Sequence, residues 1–286
     1  MVLRLGLVGH GRWGRNIERT LLTFPDVSLA IVAKGEKPPP LDGVLIATQS
    51  ATHAQIALPY IEAGVPTFIE KPMTTALADA ERIQDAAERS GALVFVGHIY
   101  LFHPAFVAAL ALLPSLGAVR YLLSEGMNSG GRSDSSVLWD WLPHEVSMAR
   151  AIFDRDPDRV TAWNLVGDGS IAAAVAKFEF GTIPLVSTVS WLSHVRRRRM
   201  VVGCEAGTLI FDDTAKRRLA LHRAEGEPTF PDYADDLPLT REMTSFIEAV
   251  RTGKRDDAHL RAGVSIVRAI AAAEKSIALG GQPVDI

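Results

Sequence analysis

The chain has a single cysteine, no apolar run long enough to cross a bilayer and little net charge. Cys204 alone cannot form an internal disulfide, which is typical of a reducing compartment. Apolar runs stay below the roughly 18 to 20 residues of a membrane-spanning helix, and glycines interrupt the N-terminal run too early for a secretory signal. A formal charge of -3 gives no reason to expect nucleic acid or a membrane as a partner. We therefore expect a cytoplasmic protein.

The order of the predicted elements divides the chain into two domains. In residues 1–117, near-continuous apolar strands alternate with helices, which predicts a parallel sheet covered on both faces. In residues 118–286, strand-like runs follow one another with only turns between several of them, which predicts a mostly antiparallel sheet. We expect an α/β Rossmann domain that binds a dinucleotide, followed by an α+β domain with an open-faced sheet that serves substrate binding and oligomerisation.

A glycine-rich turn follows the first predicted strand and opens a helix. In Gly9-His10-Gly11-Arg12-Trp13-Gly14, the first glycine permits the tight turn and the second lets the backbone approach a pyrophosphate. The third glycine allows close packing of the helix on the strand. The N-terminus of the helix offers N–H groups and a partial positive charge to the phosphates. This position, at the start of a β-α-β series, favours a dinucleotide over a purely structural turn.

Two further motifs carry side chains suited to chemistry at a hydroxyl group. Glu70-Lys71-Pro72 follows the fourth predicted strand, at the edge where an open α/β sheet binds its ligands. In LWDWLPHEV, Pro143 predicts a helix that starts near Leu142, with Asp140 near its N-cap and His144 in its first turn. A carboxylate four residues from an imidazole can hold the orientation and tautomer of the ring. A purely structural interpretation is also open, in which Lys71 and His144 are surface residues and Asp140 only caps the helix.

In this order and spacing, the three motifs resemble the Gfo/Idh/MocA family of oxidoreductases. The resemblance covers essentially the whole chain and extends to IATQSATH, VGHIYLFHPAF, VVGCEAGTLIFDD and LTREMTSFIEAVRTG. GRWGRN and VLWDWLPHEVSM are most similar to members that act on nucleotide sugars, of the UDP-N-acetylglucosamine 3-dehydrogenase kind. The resemblance implies hydride exchange between a sugar carbon and a nicotinamide cofactor.

The resemblance also implies roles for individual residues. Lys71 would bind the reacting oxygen, and His144 would exchange the hydroxyl proton while Asp140 positions it. The Lys71–Pro72 peptide bond would be cis. The cofactor would be held by Gly9, Gly11, Arg12, Trp13, Gly14, Thr48, His53 and Glu70. Beside the resemblance, we expect Asn128 and Arg132, in the loop NSGGRSD, to contact the substrate. Trp139 and Trp141 bracket Asp140, so one is expected to stack on a sugar or base while the other packs in the core, and we assign the contact to Trp141. No His, Cys or Asp cluster shows metal-ligand spacing, so no metal is expected.

The stretch after the second predicted strand departs from the family pattern. Relatives typically have an acidic residue at the end of this strand and then a helix, whereas this chain has Lys34 and a trimmed connection to Gly43. An ammonium group only donates hydrogen bonds, so Lys34 cannot accept one from a ribose 2′-hydroxyl, but it can pair with the 2′-phosphate of NADP. Glu36 would instead serve NAD, and loss of cofactor binding is the third interpretation. We place NADP ahead of NAD.

The sequence thus predicts an NAD(P)-dependent oxidoreductase that acts on the hydroxyl or ketone of a sugar or nucleotide sugar. One alternative is a reductase of C=N or C=C bonds on the same fold, although Lys71 and His144 together suit alcohol-ketone chemistry better. The other is a non-catalytic sensor or scaffold, which the trimmed stretch favours and the intact motifs oppose. A sheet with one uncovered face also predicts a homo-oligomer, as a dimer or tetramer.

Overall fold

The computed structural model of the protein describes residues 2–33, 40–131 and 135–286, and the chain forms two compact units. The first unit comprises Met1–Ile99 and Leu237–Val267, and the second comprises Tyr100–Asp236 and Arg268–Ile286. Residue 117, where the sequence places the domain boundary, lies within the second unit. Each unit is therefore built from two separate stretches of the chain.

Strands and helices alternate in the first part of the chain, and strands predominate after it. The described strands are β1 (Leu3–Val8), β2 (Val27–Val32), β3 (Gly43–Ile46), β4 (Thr67–Glu70), β5 (Val94–Gly97), β6 (Val119–Ser129), β7 (Arg159–Asn164), β8 (Ala173–Phe180), β9 (Ile183–Ser190), β10 (Leu192–Cys204), β11 (Gly207–Asp212), β12 (Leu219–His222) and β13 (Val284–Asp285). The described helices are α1 (Arg12–Leu21), α2 (His53–Glu62), α3 (Leu77–Ser90), α4 (Pro104–Leu112), α5 (Val137–Phe153), α6 (Pro238–Thr252) and α7 (Ala258–Ala278).

A five-stranded parallel sheet in the order β2-β1-β3-β4-β5 forms the centre of the first unit. Every residue of β3, β4 and β5 is buried, as expected for parallel strands that are covered on both faces. The chain leaves β1 towards β2 on one side and returns to β3 on the other. Ligands of such sheets bind at this switch point, outside the carboxyl ends of the strands.

The helix α6 belongs to the first unit although it lies far along the chain. Phe246 of α6 packs edge-on against Phe68 of β4 and Phe95 of β5, with ring centroids 5.6 and 5.8 Å apart. All three rings are fully buried, so they join the helix to the sheet through the apolar core. This contact places α6 against β4, the strand that ends at the EKP motif.

The second unit is organised around an eight-stranded sheet in the order β12-β11-β10-β6-β9-β8-β7-β13. Its neighbouring strands run antiparallel except for β6 and β9, which are parallel. The helix α5 packs against β6, β8 and β9. Along β6, Leu122 and Ser124 are buried whereas Tyr121 and Leu123 are 39% and 44% exposed, so the face away from α5 is open. The predicted fold class, a Rossmann domain with a second, mostly antiparallel open-faced domain, is confirmed.

The start of α5 differs from the prediction. The sequence places it near Leu142, but the helix begins at Val137, with Ser136 as the N-cap, and contains Pro143 in its interior. A proline there removes one backbone hydrogen bond and crowds the preceding turn, which costs roughly 3 kcal/mol. Because 12 of the 17 residues of α5 are buried, packing on the sheet outweighs this cost. The prediction was wrong because the proline rule ignores tertiary packing.

Candidate active site

The glycine-rich turn lies at the switch point of the parallel sheet, and each glycine has a separate reason to be there. Gly9 adopts a φ of +99°, and a Cβ at this residue would lie 2.5 Å from the carbonyl oxygen of Ala47, beyond the end of β3. A Cβ on Gly14 would lie 2.0 Å from the carbonyl oxygen of Gly9. A Cβ on Gly11 would meet nothing within 4 Å. Gly9 and Gly14 are therefore required by packing, while the space at Gly11 is open to a ligand.

The N-terminus of α1 beside this open space is suited to an anion. Its N-cap, Gly11, provides no side-chain hydrogen bond, and the first turn contains no acidic residue. The backbone N–H groups of a first helical turn have no partner within the helix and carry a partial positive charge. The exposed side chain of Arg12 adds a full positive charge at the same end. This combination fits the pyrophosphate of a dinucleotide.

Glu70 connects the glycine-rich turn to the EKP motif. The indole Nε1 of Trp13 donates a hydrogen bond to Oε1 of Glu70, and the backbone N–H of Lys71 donates to Oε2 across 3.2 Å. Burial raises the pKa of Glu70 to about 7, against the hydrogen bond from Trp13 and the nearby charge of Lys71, which both lower it. A carboxylate that accepts from both motifs fixes the end of β4 relative to α1.

His53 connects the end of β3 to the EKP motif. It is 1% exposed, and its Nδ1 lies 3.0 Å from the carbonyl oxygen of Pro72 and its Nε2 3.2 Å from the carbonyl oxygen of Thr48. The hydroxyl of Thr52 donates to the hydroxyl of Thr48 across 2.9 Å. The Lys71–Pro72 peptide bond is cis, as the resemblance implies. The imidazole thus joins two loops that leave the sheet at its carboxyl edge.

Glu242 of α6 is a second buried carboxyl group close to this edge, and the sequence analysis did not select it. Its side chain is fully buried, and neither carboxyl oxygen has a hydrogen-bond partner among the described residues. Burial and then the charge of Glu70 raise its pKa well above the ordinary value, while the backbone N–H of His98 faces it and has a small opposite effect. One signal was available in LTREMTSFIEAV, where Glu242 falls on the apolar stripe with Met243 and Phe246.

In the second unit, α5 places His144 against an aromatic ring. His144 is 9% exposed, and its imidazole meets the ring of Tyr100 edge-on, with centroids 4.8 Å apart. Asp140, one turn earlier on α5, accepts a hydrogen bond from the indole Nε1 of Trp191 across 3.0 Å. The two residues expected to exchange and position a proton therefore share one helix, and Asp140 is itself fixed by the sheet.

A group of charged and polar side chains surrounds the hydroxyl of Tyr100. Nη1 of Arg198 donates to this hydroxyl across 3.0 Å, and the hydroxyl lies 3.4 Å from Oδ2 of Asp213. His103 approaches the other oxygen of Asp213 at 3.4 Å. Burial alone would raise the pKa of Asp213, but the hydrogen bond from His103 and the charges of His103, Arg198 and Arg218 hold it below its usual value. Burial also raises the pKa of Tyr100, so its hydroxyl stays protonated at neutral pH.

Glu145 follows His144 and turns towards the sheet. It is 3% exposed, and burial raises its pKa to about 8, although a hydrogen bond with Ser124 and the charge of Arg198 lower it. The hydroxyls of Ser124 and Ser187 lie 2.7 Å apart beneath the helix. The sequence analysis did not select Arg198 and Glu145 because their partners, such as Tyr100 for Arg198 and Ser124 for Glu145, come from other elements of the fold.

The residues expected to contact substrate are only partly described. Trp141 is 3% exposed and lies under the guanidinium of Arg198, 5.1 Å from its ring centroid. Oδ1 of Asn128 is buried and has no hydrogen-bond partner within residues 2–33, 40–131 and 135–286. Lys34 and Arg132 lie outside the described residues.

The described residues contain no group of His, Cys, Asp and Glu side chains arranged to hold a metal ion. None of their helices combines the length and the apolar character needed to cross a membrane.

Comparisons with known proteins point to one family. The model for the Gfo/Idh/MocA oxidoreductase family, described as an NAD-binding Rossmann fold, matches residues 28–98. The solved structure of a candidate oxidoreductase from Magnetospirillum magnetotacticum MS-1 is 34% identical, has a TM-score of 0.84, and matches over 95% of this chain and 99% of that one.

Two curated relatives are named for their substrates. The myo-inositol dehydrogenase Hyg17 of Streptomyces leeuwenhoekii is 26% identical over an alignment 276 residues long that covers 89% of this chain and 82% of that protein. The UDP-N-acetylglucosamine 3-dehydrogenase of Acidithiobacillus ferrooxidans is 28% identical over an alignment 170 residues long that covers 54% of this chain and 51% of that protein. The predicted family and the oxidoreductase class are confirmed, and the chain belongs to the Gfo/Idh/MocA family of oxidoreductases, with an NAD-binding Rossmann domain.

Proposed function

We propose that the protein is an NAD(P)-dependent dehydrogenase that interconverts a hydroxyl and a ketone on a sugar or polyol. The observation that carries this proposal is the position of Lys71, at the carboxyl end of β4 and tied through Glu70 and Trp13 to the glycine-rich turn. A lysine at this edge of the sheet lies where the ligands of such folds bind. The relatives named myo-inositol dehydrogenase and UDP-N-acetylglucosamine 3-dehydrogenase support a substrate of this class.

The first unit fits a nicotinamide dinucleotide. Gly11 and Arg12 would hold the pyrophosphate at the open N-terminus of α1, and Gly9 and Gly14 permit the turn that makes room for it. The remaining residues assigned to this site are Trp13, Thr48, His53 and Glu70. Because His53 is buried, its contribution is to hold the two loops it joins. When bound, the cofactor supplies the acceptor or donor of the hydride.

Each unit contributes one of the two proposed catalytic side chains. The Lys71 ammonium donates a hydrogen bond to the reacting oxygen and stabilises the negative charge that develops there. The His144 imidazole accepts the hydroxyl proton during oxidation and returns it during ketone reduction. Asp140, held by Trp191, fixes the first turn of α5 and positions His144 from there. Asn128, Arg132 and Trp141 are the proposed substrate contacts, and the unpartnered oxygen of Asn128 suits a sugar hydroxyl that donates.

We place NADP ahead of NAD on the sequence alone, because Lys34 follows β2 at the position where relatives carry an acidic residue. Fluorescence titration of the protein with NADH and with NADPH tests this preference. Tighter binding of NADPH that is lost in Lys34→Ala is the expected result. Equal affinities for the two cofactors, or no effect of Lys34→Ala, would contradict it.

A nucleotide sugar is the second candidate substrate. Arg198 places a positive charge over Trp141 and beside Tyr100, which contacts His144, and a diphosphate would be attracted to that charge. Asp213 neutralises part of the charge of Arg198, so a free sugar or polyol remains the preferred candidate substrate.

The proposed function is tested by a substrate panel. Initial rates of NAD(P)H formation would be measured with inositols, free hexoses and UDP-linked sugars, using the wild type and His144→Ala. We expect oxidation of one of these classes, with a rate at least about 100-fold lower in the variant, because general base catalysis contributes roughly 10²- to 10⁴-fold. A wild type that binds cofactor and oxidises none of the three classes would contradict the proposal.

A further inference from the structure

Glu242 is a buried acid for which the proposed reaction has no use. It lies in the first turns of α6, on the face that carries Met243 and Phe246 into the core of the first unit. Its carboxyl group is fully buried, and neither oxygen has a hydrogen bond of normal geometry among the described residues, although the backbone N–H of His98 faces the group. An ionised carboxylate in such a place would lose its hydration with little compensation, so the group is expected to keep a proton. Groups of this kind in native proteins call for an explanation.

The explanation lies in Glu70, the carboxylate that joins Trp13 to Lys71. Phe246, one turn after Glu242 on α6, packs on Phe68, which lies two residues before Glu70 on the same face of β4. The two carboxyl groups are therefore neighbours, and the charge of Glu70 raises the pKa of Glu242. Two neighbouring buried carboxyls resist ionising together, and the group with the better hydrogen bonds takes the charge. Glu70 accepts from Trp13 Nε1 and from the Lys71 backbone, whereas Glu242 accepts from neither.

The surroundings of the pair reinforce this division. Lys71, from the end of β4, places a positive charge near Glu70, and the backbone N–H of His98, from the end of β5, faces Glu242. Lys71 and His98 are titratable residues that adjoin the pair from the ends of β4 and β5. A full positive charge stabilises a carboxylate more than a single backbone N–H does. The negative charge is therefore favoured on Glu70, beside Lys71, over Glu242, beside the backbone of His98.

We propose that Glu242 is the proton-holding partner of Glu70 and acts as a positioning residue of the cofactor site. The first proton to leave the pair comes from Glu70, with a pKa of about 7, so the negative charge of the singly ionised pair resides on Glu70. It holds the indole of Trp13 and the backbone of Lys71, and it stabilises the ammonium form of Lys71. Only the consequence for the reaction rests on the proposed function, since the proton on Glu242 is a property of the folded chain.

Infrared spectroscopy at pH 7 tests the proton directly. The C=O stretching band of protonated carboxylic acids should be weaker in Glu242→Gln than in the wild type, and the intensity that remains belongs to Glu70 and Glu145. Glu248→Gln removes an exposed glutamate of the same helix and should leave the band in place. Glutamine has the shape of a protonated glutamate, so the variant is expected to fold. A band of equal intensity in wild type and Glu242→Gln would overturn the proposal.

The pairing is tested by removing the charge of the partner. In Glu70→Gln, the band assigned to Glu242 should titrate away at a lower pH than in the wild type, because the neighbouring negative charge is gone. An unchanged midpoint would show that the two groups do not interact and would overturn the pairing.

A cofactor titration then separates this proposal from the proposed function. The dissociation constant for NADH would be measured from pH 5 to 9 in the wild type and in Glu242→Gln. The dissociation constant should change with pH around a midpoint near pH 7, where Glu70 ionises. If Glu242 is neutral, this midpoint is the same in the wild type and in Glu242→Gln. A midpoint lower by one pH unit or more in Glu242→Gln would show that Glu242 had been charged. Absence of NADH binding in the wild type would contradict the proposed function, while the infrared result would still decide the state of Glu242.

Discussion

Three carboxyl groups in the described structure are buried with raised pKa values, and they fall into two environments. Glu70 and Glu242 lie at the carboxyl edge of the parallel sheet, and Glu145 lies between α5 and the second sheet. A raised pKa means that the folded protein holds a proton that the unfolded chain would release. Stability from such a group is fully present below the unfolded pKa, near 4.5, and is lost as pH rises through the folded value.

Glu145→Gln should therefore flatten the dependence of stability on pH between about 4.5 and 8. Each proton held only by the folded state corresponds to a loss of up to about 1.4 kcal/mol of unfolding free energy per pH unit in this window. Urea unfolding of the wild type and the variant at several pH values measures the difference. Parallel slopes in the two proteins would show that Glu145 is already ionised in the folded state.

Trp13→Phe removes the N–H donor of Glu70 while keeping an aromatic ring. A hydrogen bond to a charged group is worth roughly 1.5–3 kcal/mol, so we expect the affinity for NADH to fall by about tenfold or more. The same change should move the Glu70 midpoint in the cofactor titration to higher pH, because a cause that lowers its pKa is gone. Replacing the exposed Trp163 by Phe provides a matched control. Equal effects of the two substitutions would contradict the role given to Trp13.

At the scale of elements, the sequence pattern predicted most of the fold. The strands of the parallel sheet are continuous apolar runs, and glycines stand at their ends or at helix ends, such as Gly91 after α3. The start of α5 was missed because a proline argued locally against a helix that tertiary packing stabilises. The EKP motif and the glycine-rich turn could be predicted because the residues of each are adjacent in the sequence. The pairing of Glu70 with Glu242 and the contact of Arg198 with Tyr100 could not be predicted, because the partners are 172 and 98 residues apart in the sequence.

The glycines of the turn before α1 provide a prediction that separates folding from binding. Gly14→Ala should lower the stability of the protein by about 1–3 kcal/mol, because its Cβ would meet the carbonyl of Gly9 at 2.0 Å. Gly11→Ala should leave stability nearly unchanged and still weaken NADH binding, since its Cβ enters only the open space. Thermal unfolding and fluorescence titration of both variants make the comparison. If Gly11→Ala binds NADH as tightly as the wild type, the pyrophosphate does not bind at Gly11.

At the scale of the whole molecule, the open face of the second sheet exposes apolar side chains that a monomer would leave in contact with water. Leu123 on this face aligns with Val186 of β9 and Val201 of β10, which makes a stripe of aliphatic side chains across three strands. Uncovered apolar surface of this kind is typical of subunit contacts. We therefore keep the homo-oligomer, dimer or tetramer, as a proposal.

Leu123→Arg should convert the oligomer into smaller species, because it places a charge in the middle of this stripe. Size-exclusion chromatography with light scattering gives the mass of the wild type and the variant. Leu279→Arg is the matched control, since Leu279 is also exposed but follows α7 outside the sheet. A monomeric wild type would exclude the oligomer, and an unchanged mass in Leu123→Arg would move the contact to another surface.

The central claim is that Lys71 acts on the substrate and not on the cofactor. The most direct measurement compares turnover and NADH binding in Lys71→Ala with those in Lys177→Ala, which removes a lysine paired with Glu179 on β8 of the second unit. We predict that Lys71→Ala binds NADH within about threefold of the wild type, while its turnover falls by roughly 10²- to 10³-fold because a donor to the developing oxyanion is lost. Lys177→Ala should retain both properties. Turnover at the wild-type rate in Lys71→Ala would contradict the account.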